Sequence, residues 1–234
     1  MLPAFNQEGE IQRTLWKVND VLTRAGIAHE LIVVSDGSVD RTASVAEQAR
    51  VPFTRVFEYQ PNKGKGEALR FGSAQARGQW IAWVDADLDL DPVMLPSFLA
   101  AAQDRDLDAV IGSKRHRCSD VDYPPLRRVY SGIYQAVVWV LFDLHVRDTQ
   151  VGMKVFRAEV LARVLPLVLV KRYAFDLEVL SVAKHLGFAK MEDHPVILTY
   201  QFTGTSVNRR AVVRTAWDTL AVFYRLRLRR YYDE

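Results

Sequence analysis

The sequence predicts an α/β fold with a mostly parallel sheet flanked by helices, on three observations. Short apolar runs alternate with amphipathic helical segments over the first half of the chain, the pattern of successive β-α-β units. Each apolar run ends in a polar or glycine-containing cluster, and in such sheets ligands bind beyond the carboxyl ends of the strands. The chain has 234 residues, 49% hydrophobic and 25% charged, enough to bury a sizeable core without disulfides or a structural metal.

The elements follow in order. LPAFNQE (2–8) reads as the end of a strand and the loop beyond it, with almost no strand residues before Pro3. The expectation there is a sheet short of its first strand or a start placed late, a gap that a close-packed core does not easily tolerate. Residues 10–26 carry Ile11, Leu15, Val18 and Leu22 at helical spacing, with Gly26 as the stop. HELIVVSDGS is a buried strand running into a turn. DRTASVAEQAR (40–50) is a helix with Asp40 placed to cap it. FTRVFEY alternates as a strand does. Residues 64–78 are a glycine-rich turn leading into a helix, QWIAWVDAD is again a strand, PVMLPSFLAAAQ a helix, and 107–113 one more strand. No internal repeat or linker interrupts the chain, so one domain is expected.

Composition narrows the classes. A lone cysteine, Cys118, rules out an internal disulfide, and a structural or surface role is the expectation for it. The histidines at 29, 116, 145, 185 and 194 form no spaced ligand pair, so no zinc site is expected. No signal peptide is expected, because the first apolar residues give way to Asn6, Gln7 and Glu8. The longest apolar stretches, 136–142 and 164–170, fall short of the ~18–20 residues of a spanning helix. A soluble or peripheral protein is therefore expected. Net charge is +3, yet residues 201–234 hold seven arginines against three acids, which points to an anionic partner or a solvated basic face.

WVDADLDLDP (83–92) sets Asp85, Asp87, Asp89 and Asp91 at alternate positions behind a strand. Clustered carboxylates are tolerable where a divalent cation neutralises them, and all-oxygen ligands suit Mg²⁺ or Mn²⁺. Asp91, just before Pro92, reads instead as the start of the next helix.

LPAFNQEGEI, IVVSDGSVDRT, NKGKGEALRFG and WVDADLD begin in that order at residues 2, 32, 62 and 83. The set resembles the family 2 inverting glycosyltransferases, of GT-A (Rossmann-like) fold. IGSKRH (111–116), RDTQVGMKVFR (147–157), RYAFDLEVL (172–180) and GTSV (204–207) are similar to the branch that transfers sugars to dolichyl or polyprenyl phosphate, and the Asp-Thr-Gln-x-Gly-x-Lys run most resembles the dolichyl-phosphate glucosyltransferases. The resemblance implies a nucleotide-sugar half over about 1–113, an acceptor half over about 114–210 and a basic amphipathic helix over about 211–232.

It also implies roles. Pro3, Phe5 and Glu8 would line the base and ribose pocket, and Asp36 would hold the base edge. Ser35 stands where many relatives carry another Asp, and Gln7 where they carry Glu. Lys63, Gly64, Lys65 and Gly66 would close over the nucleotide. Asp85 would contact the ribose and sugar, Asp87 would bind the metal on the diphosphate, and Asp89 would be a second metal ligand. Lys114, Arg115, Arg127 and Arg128 would stabilise phosphate charge as preorganised cations. Asp148, Gln150 and Asp176 would bind sugar hydroxyls or position the acceptor. A phosphate acceptor is already ionised near neutral pH, whereas an alcohol needs a general base, and Asp176 is the residue for that alternative.

The implied activity is metal-dependent, inverting transfer of a hexose, glucose from UDP-glucose, to a polyprenyl phosphate at the cytoplasmic face of a membrane. Transfer of mannose from GDP-mannose and transfer to an alcohol stay open. A non-catalytic nucleotide or nucleic-acid binder is the reading from another class; the acidic cluster argues against a nucleic-acid groove. The helix over 211–232 sets Val213, Trp217, Leu220, Tyr224 and Leu228 on one stripe and crowds Arg225, Arg227, Arg229 and Arg230 at its end, which suits an anionic membrane surface or a core-packing helix with a basic outer face.

Overall fold

The structure is a computed structural model that describes residues 1–119, 125–171, 174–199 and 209–233, with the side chains of 125–131, 133 and 209–213 outside the description. Strands β1 (Leu2–Ala4), β2 (Leu31–Asp36) and β3 (Thr54–Tyr59) form a parallel sheet in the order β1-β2-β3. Strands β4 (Trp80–Val84), β5 (Ala109–Ser113), β6 (Met153–Arg157) and β7 (Met191–Pro195) form a second, in the order β4-β6-β5-β7. Between them run α1 (Ile11–Arg24), α2 (Thr42–Gln48), α3 (Lys65–Ala74), α4 (Leu95–Asp104), α5 (Pro125–Phe142), α6 (Ala158–Val164), α7 (Phe175–His185) and α8 (Arg209–Phe223).

The first strand is present and short, Leu2–Ala4, with Met1 bonded to β4. The Met1 amine donates to Ala82 O at 2.8 Å and Val84 N donates to Met1 O at 3.1 Å. This is the bond pattern of a parallel bridge opposite Trp83, and it joins the two sheets edge to edge. Met1 is buried, and burial pushes its amine down to about 5, with Glu30 opposing.

Strand residues alternate between two cores, as the period of two requires. Ile32, Val34, Ile81, Trp83, Ala109, Ile111 and Phe156 pack on the side of α3, α6 and α7. Leu31, Val33, Val84, Val110, Met153 and Val155 pack on the side of α1, α2 and α4. The result is a helix–sheet–helix sandwich. One strand that the sequence reading did not assign, β6, runs antiparallel between β4 and β5 within the mostly parallel arrangement. Its amino-terminal end therefore lies beside the carboxyl ends of its neighbours, and brings residues 148–152 to the edge where the other loops gather.

The carboxyl-terminal helix corrects one grouping. After α8 the chain widens into a π-helical turn, Tyr224–Leu228. Arg225 turns inward there and donates to the fully buried Glu178 Oε1 at 2.7 Å, which also accepts from Tyr232 Oη at 2.5 Å. Arg225 thus belongs to the interior, apart from the exposed Arg227, Arg229 and Arg230. Trp217, Leu220, Tyr224 and Leu228 are all exposed, while Val222 and Leu226 pack inward. The side chain of Val213 lies outside the description.

Candidate functional site

Loops from β1, β2, β4 and β5 converge at the carboxyl edge of the sheet. Beyond β1, residues 5–8 are stitched to the turn after β2. Asn6 N donates to Ser38 Oγ at 3.1 Å, Gln7 N to Thr42 Oγ1 at 2.7 Å, and Glu8 N to Asp40 Oδ2 at 3.1 Å. Glu8 Oε2 accepts from Arg41 N at 3.0 Å, so its carboxylate anchors the start of α2. Pro3 lies within β1, paired with Val34, and Phe5 is 47% exposed. The N-cap position of α2 falls on Arg41, not on Asp40 as the sequence suggested; Asp40 lies one residue earlier and braces the first turn by accepting from Thr42 N at 3.0 Å.

Asp36 is buried, and the protein itself uses its carboxylate. It accepts from Lys63 N and Gly64 N, each at 2.8 Å, and from Asn62 Nδ2 at 3.0 Å. It therefore shapes the glycine loop. Gly37 (φ 66°) lets that loop close, since a Cβ there would sit 2.2 Å from Asn62 N. Ser35 Oγ bonds Ser38 Oγ at 3.0 Å. Gly64 (φ 100°) turns the chain into α3, with Lys65 its first residue. Lys63 places its ammonium 4.8 Å from the Tyr59 ring centroid, a cation–π contact.

Lys65 reaches back into the acidic motif: its Nζ lies 2.5 Å from Asp85 Oδ1. Burial acts to lower its pKa, but the carboxylates of Asp85, Asp176 and Asp87 outweigh it and the net direction is up. Gly152 makes room for Asp85, since a Cβ on it would fall 1.9 Å from Asp85 Oδ2. Asp87 Oδ1 accepts from Asp89 N at 3.1 Å, and Asp89 is exposed. Asp91 caps the turn at Pro92 through Val93 N and pairs with Lys17 at 2.9 Å, outside the cluster.

Asp148, at the start of the segment leading to β6, accepts from the backbone N–H of Gln150 at 3.3 Å and from that of Lys114. Burial raises its pKa against these bonds and the charges of Lys154 and Lys114. Gln150 Nε2 donates to Tyr134 Oη of α5 at 3.2 Å. Asp176, in the first turn of α7, accepts from Lys154 Nζ at 2.6 Å. Lys154 is fully buried in β6 and also donates to Val151 O at 2.5 Å. The sequence assigned it no role although it closes the Asp-Thr-Gln-x-Gly-x-Lys run; a charged residue inside an apolar strand was the available signal.

Charges therefore alternate across the cleft: Asp85, Lys65, Asp176, Lys154, Asp148, Lys114. Arg115 follows Lys114 directly beyond β5, and its guanidinium approaches Gly132 of α5. The side chains of Arg127 and Arg128 lie outside the description.

Among the described residues no three His, Cys, Asp or Glu side chains form a ready-made metal cage. The Asp87 and Asp89 carboxylates still fit Mg²⁺ or Mn²⁺ in their chemistry, since such ions are often held by one or two carboxylates with substrate phosphates completing the shell.

The pattern of the family described as Glycosyl transferase family 2 matches residues 1–165. The chain is 33% identical over 208 residues to a dolichyl-phosphate beta-glucosyltransferase of Drosophila melanogaster, covering 82% of this chain and 64% of that protein. It thus spans a little under two thirds of that relative's length. It is 28% identical over 245 residues to a dolichyl-phosphate beta-glucosyltransferase of Trichomonas vaginalis, covering 97% of this chain and 74% of that one. It is also 29% identical over 167 residues to the dodecaprenyl-phosphate galacturonate synthase of Rhizobium johnstonii, covering 70% of this chain and 48% of that one. Among solved structures, glucosyl-3-phosphoglycerate synthase of Mycobacterium tuberculosis, crystallised with Mn²⁺, UDP and phosphoglyceric acid, superimposes with a TM-score of 0.71 at 20% identity, covering 95% of this chain and 75% of that one. Mannosyl-3-phosphoglycerate synthase of Rubrobacter xylanophilus gives 0.72 at 18%, covering 98% and 72%. At these identities the likeness is one of fold, the GT-A arrangement that the motifs imply.

Proposed function

The chain belongs to glycosyl transferase family 2, and from that membership we propose that it transfers glucose from UDP-glucose to a polyprenyl or dolichyl phosphate with inversion. One observation carries the reading: Asp85, from the nucleotide-sugar half, and Asp176, from the acceptor half, both act on the Lys65 ammonium. Donor and acceptor elements thus share one cleft. The names of the relatives support the donor and the lipid phosphate.

In this reading residues 3–8 and 36–38 frame the nucleotide and the 63–66 loop lies over its diphosphate. Asp87 and Asp89 would hold Mg²⁺ or Mn²⁺, which when bound supplies Lewis-acid stabilisation to the leaving diphosphate. Lys114 and Arg115 neutralise the incoming phosphate, with Arg127 and Arg128 assigned the same task. The acceptor oxygen forms a bond to the anomeric carbon as the bond to UDP breaks on the opposite face. A phosphate oxygen needs no base for this step, because its second ionisation falls near pH 6. The Lys154 contact supports Asp176 as a positioning group, against base-catalysed transfer to an alcohol.

The proposal extends to an anionic membrane surface on the cytoplasmic side. No helix among the described residues is long and apolar enough to cross a membrane. The exposed Trp217, Leu220, Tyr224 and Leu228, flanked by Arg227, Arg229 and Arg230, support an interfacial face. The test is a panel of nucleotide sugars with undecaprenyl or dolichyl phosphate, with and without Mn²⁺. Glycolipid formed from UDP-glucose is the expected result; product from GDP-mannose alone would redirect the donor, and no glycolipid from any donor would overturn the reading.

A further inference from the structure

Lys65 is held by its backbone and partly exposed along its side chain. Gly64 fixes the entry to α3, and Gly66 N donates to Lys171 O at 3.0 Å. The Lys65 side chain is nevertheless 43% exposed, and a lysine stem has several rotamers open to it. Its partner has less freedom. Asp85 Oδ2 lies against the backbone of Gly152 while Oδ1 meets the ammonium. The carboxylate is therefore set by the scaffold, and the ammonium is the exchangeable half of the pair.

A divalent cation approaching Asp87 meets that ammonium as a like charge, and in a partly shielded cleft such repulsion is larger than in water. A diphosphate removes the conflict, because its oxygens offer the ammonium a second anionic partner. Lysine suits this exchange better than arginine, being a compact point charge on a flexible stem. Lys63 cannot take the part while it lies over Tyr59.

Resting on the nucleotide-sugar reading, we propose that Lys65 is an internal counter-ion that competes with free divalent metal for the Asp85–Asp87 edge and moves onto the donor diphosphate when metal and nucleotide enter together. The residue thereby sets the order of binding: metal with nucleotide, and poorly before it.

The test measures Mn²⁺ binding without nucleotide, from the electron paramagnetic resonance signal of the free ion. Lys65→Met is expected to bind Mn²⁺ at least about tenfold more tightly than the parent, as loss of a neighbouring like charge implies. Lys65→Arg is expected to bind it no more tightly. UDP affinity at saturating Mn²⁺ is expected to fall in Lys65→Met. Mn²⁺ binding by Lys65→Met equal to or weaker than the parent's overturns the proposal, and so does a gain shared by Lys65→Arg. Circular dichroism and thermal melting check folding, and Lys65→Gln replaces Lys65→Met under the same outcomes should the latter not fold. Failure of the parent to bind UDP with Mn²⁺ belongs to the nucleotide-sugar reading and is seen in a separate titration.

Discussion

The Lys154 ammonium sits 2.6 Å from Asp176 Oδ1 with 2% of its side chain exposed, so β6 and α7 meet through a buried ion pair at the centre of the cleft. Removing one partner of such a pair leaves an uncompensated buried charge, which costs ~3–5 kcal/mol. Lys154→Met is expected to lose stability on that scale in urea unfolding and to lose transfer with it. Lys154→Met combined with Asp176→Leu is expected to recover much of the stability and none of the activity. A double variant as unstable as the single would show that the pair is not the source of the loss.

Asp87 and Asp91 separate the site from its surroundings. Asp87→Ala is expected to abolish Mn²⁺-dependent UDP binding and transfer. Asp91→Ala removes a helix cap and the Lys17 contact, with an expected cost of about 1 kcal/mol and UDP binding retained. Calorimetry and a melting curve check both, and equal loss of binding would make the motif a general acidic patch.

Gly152→Ala tests the seat of Asp85. The added Cβ would fall 1.9 Å from Asp85 Oδ2, so the carboxylate must move. Overpacking of this kind costs ~1–3 kcal/mol, and kcat is expected to fall about 100-fold, since misplacing a reacting group by an ångström can cost that much. Steady-state kinetics and a melt on one preparation separate the two effects.

Asp148 gives a pH dependence. Burial raises its pKa above the unfolded value, so the folded state binds the proton more tightly than the unfolded chain. Stability from this group is present below the unfolded pKa near 3.8 and is lost as pH rises through the folded one. Asp148→Asn, which cannot ionise, is therefore expected to melt higher than the parent at pH 7, with the difference shrinking toward pH 4, while transfer falls. Melting curves at the two pH values check the sign.

The arginines near the carboxyl terminus divide in two. Arg225→Gln strands Glu178 and is expected to cost ~3 kcal/mol or more. Arg227, Arg229 and Arg230 changed together to Gln are expected to leave stability within about 0.5 kcal/mol. The triple change is expected to lower sedimentation with anionic liposomes and to raise KM for a long-chain lipid phosphate, not for a short soluble analogue. Unchanged liposome binding would remove the membrane role.

Much of the fold is legible because the signals are local. Apolar alternation marks β2 and β4, and glycines at 37 and 64 mark turns whose backbone demands them. The place of β6 is not legible: whether Met153–Arg157 pairs parallel or antiparallel, and between which neighbours, depends on partners more than forty residues away. The same distance hides Lys154, whose importance comes from Asp176 on another element. Arg225 looks like its neighbours because a helical repeat cannot show a π turn in advance. Asp36 and Glu8 lie at the predicted place, yet their carboxylates brace the loops, a use that spacing alone cannot distinguish from contact with a ligand.

Glu178 joins three parts of the protein that lie far apart in sequence. One oxygen holds Arg225 and Tyr232, and the other accepts from Leu169 N at 3.0 Å and Val170 N at 2.6 Å. The next residue, Lys171, uses its carbonyl to hold Gly66, and Asp176 lies half a turn away on the same helix. The chain's end, the acceptor carboxylate and the donor loop are thus linked in series through one side chain. A change at Arg225 or Tyr232 therefore has a hydrogen-bonded route to Gly66, by way of Glu178, the backbone of residues 169–171 and the Lys171 carbonyl.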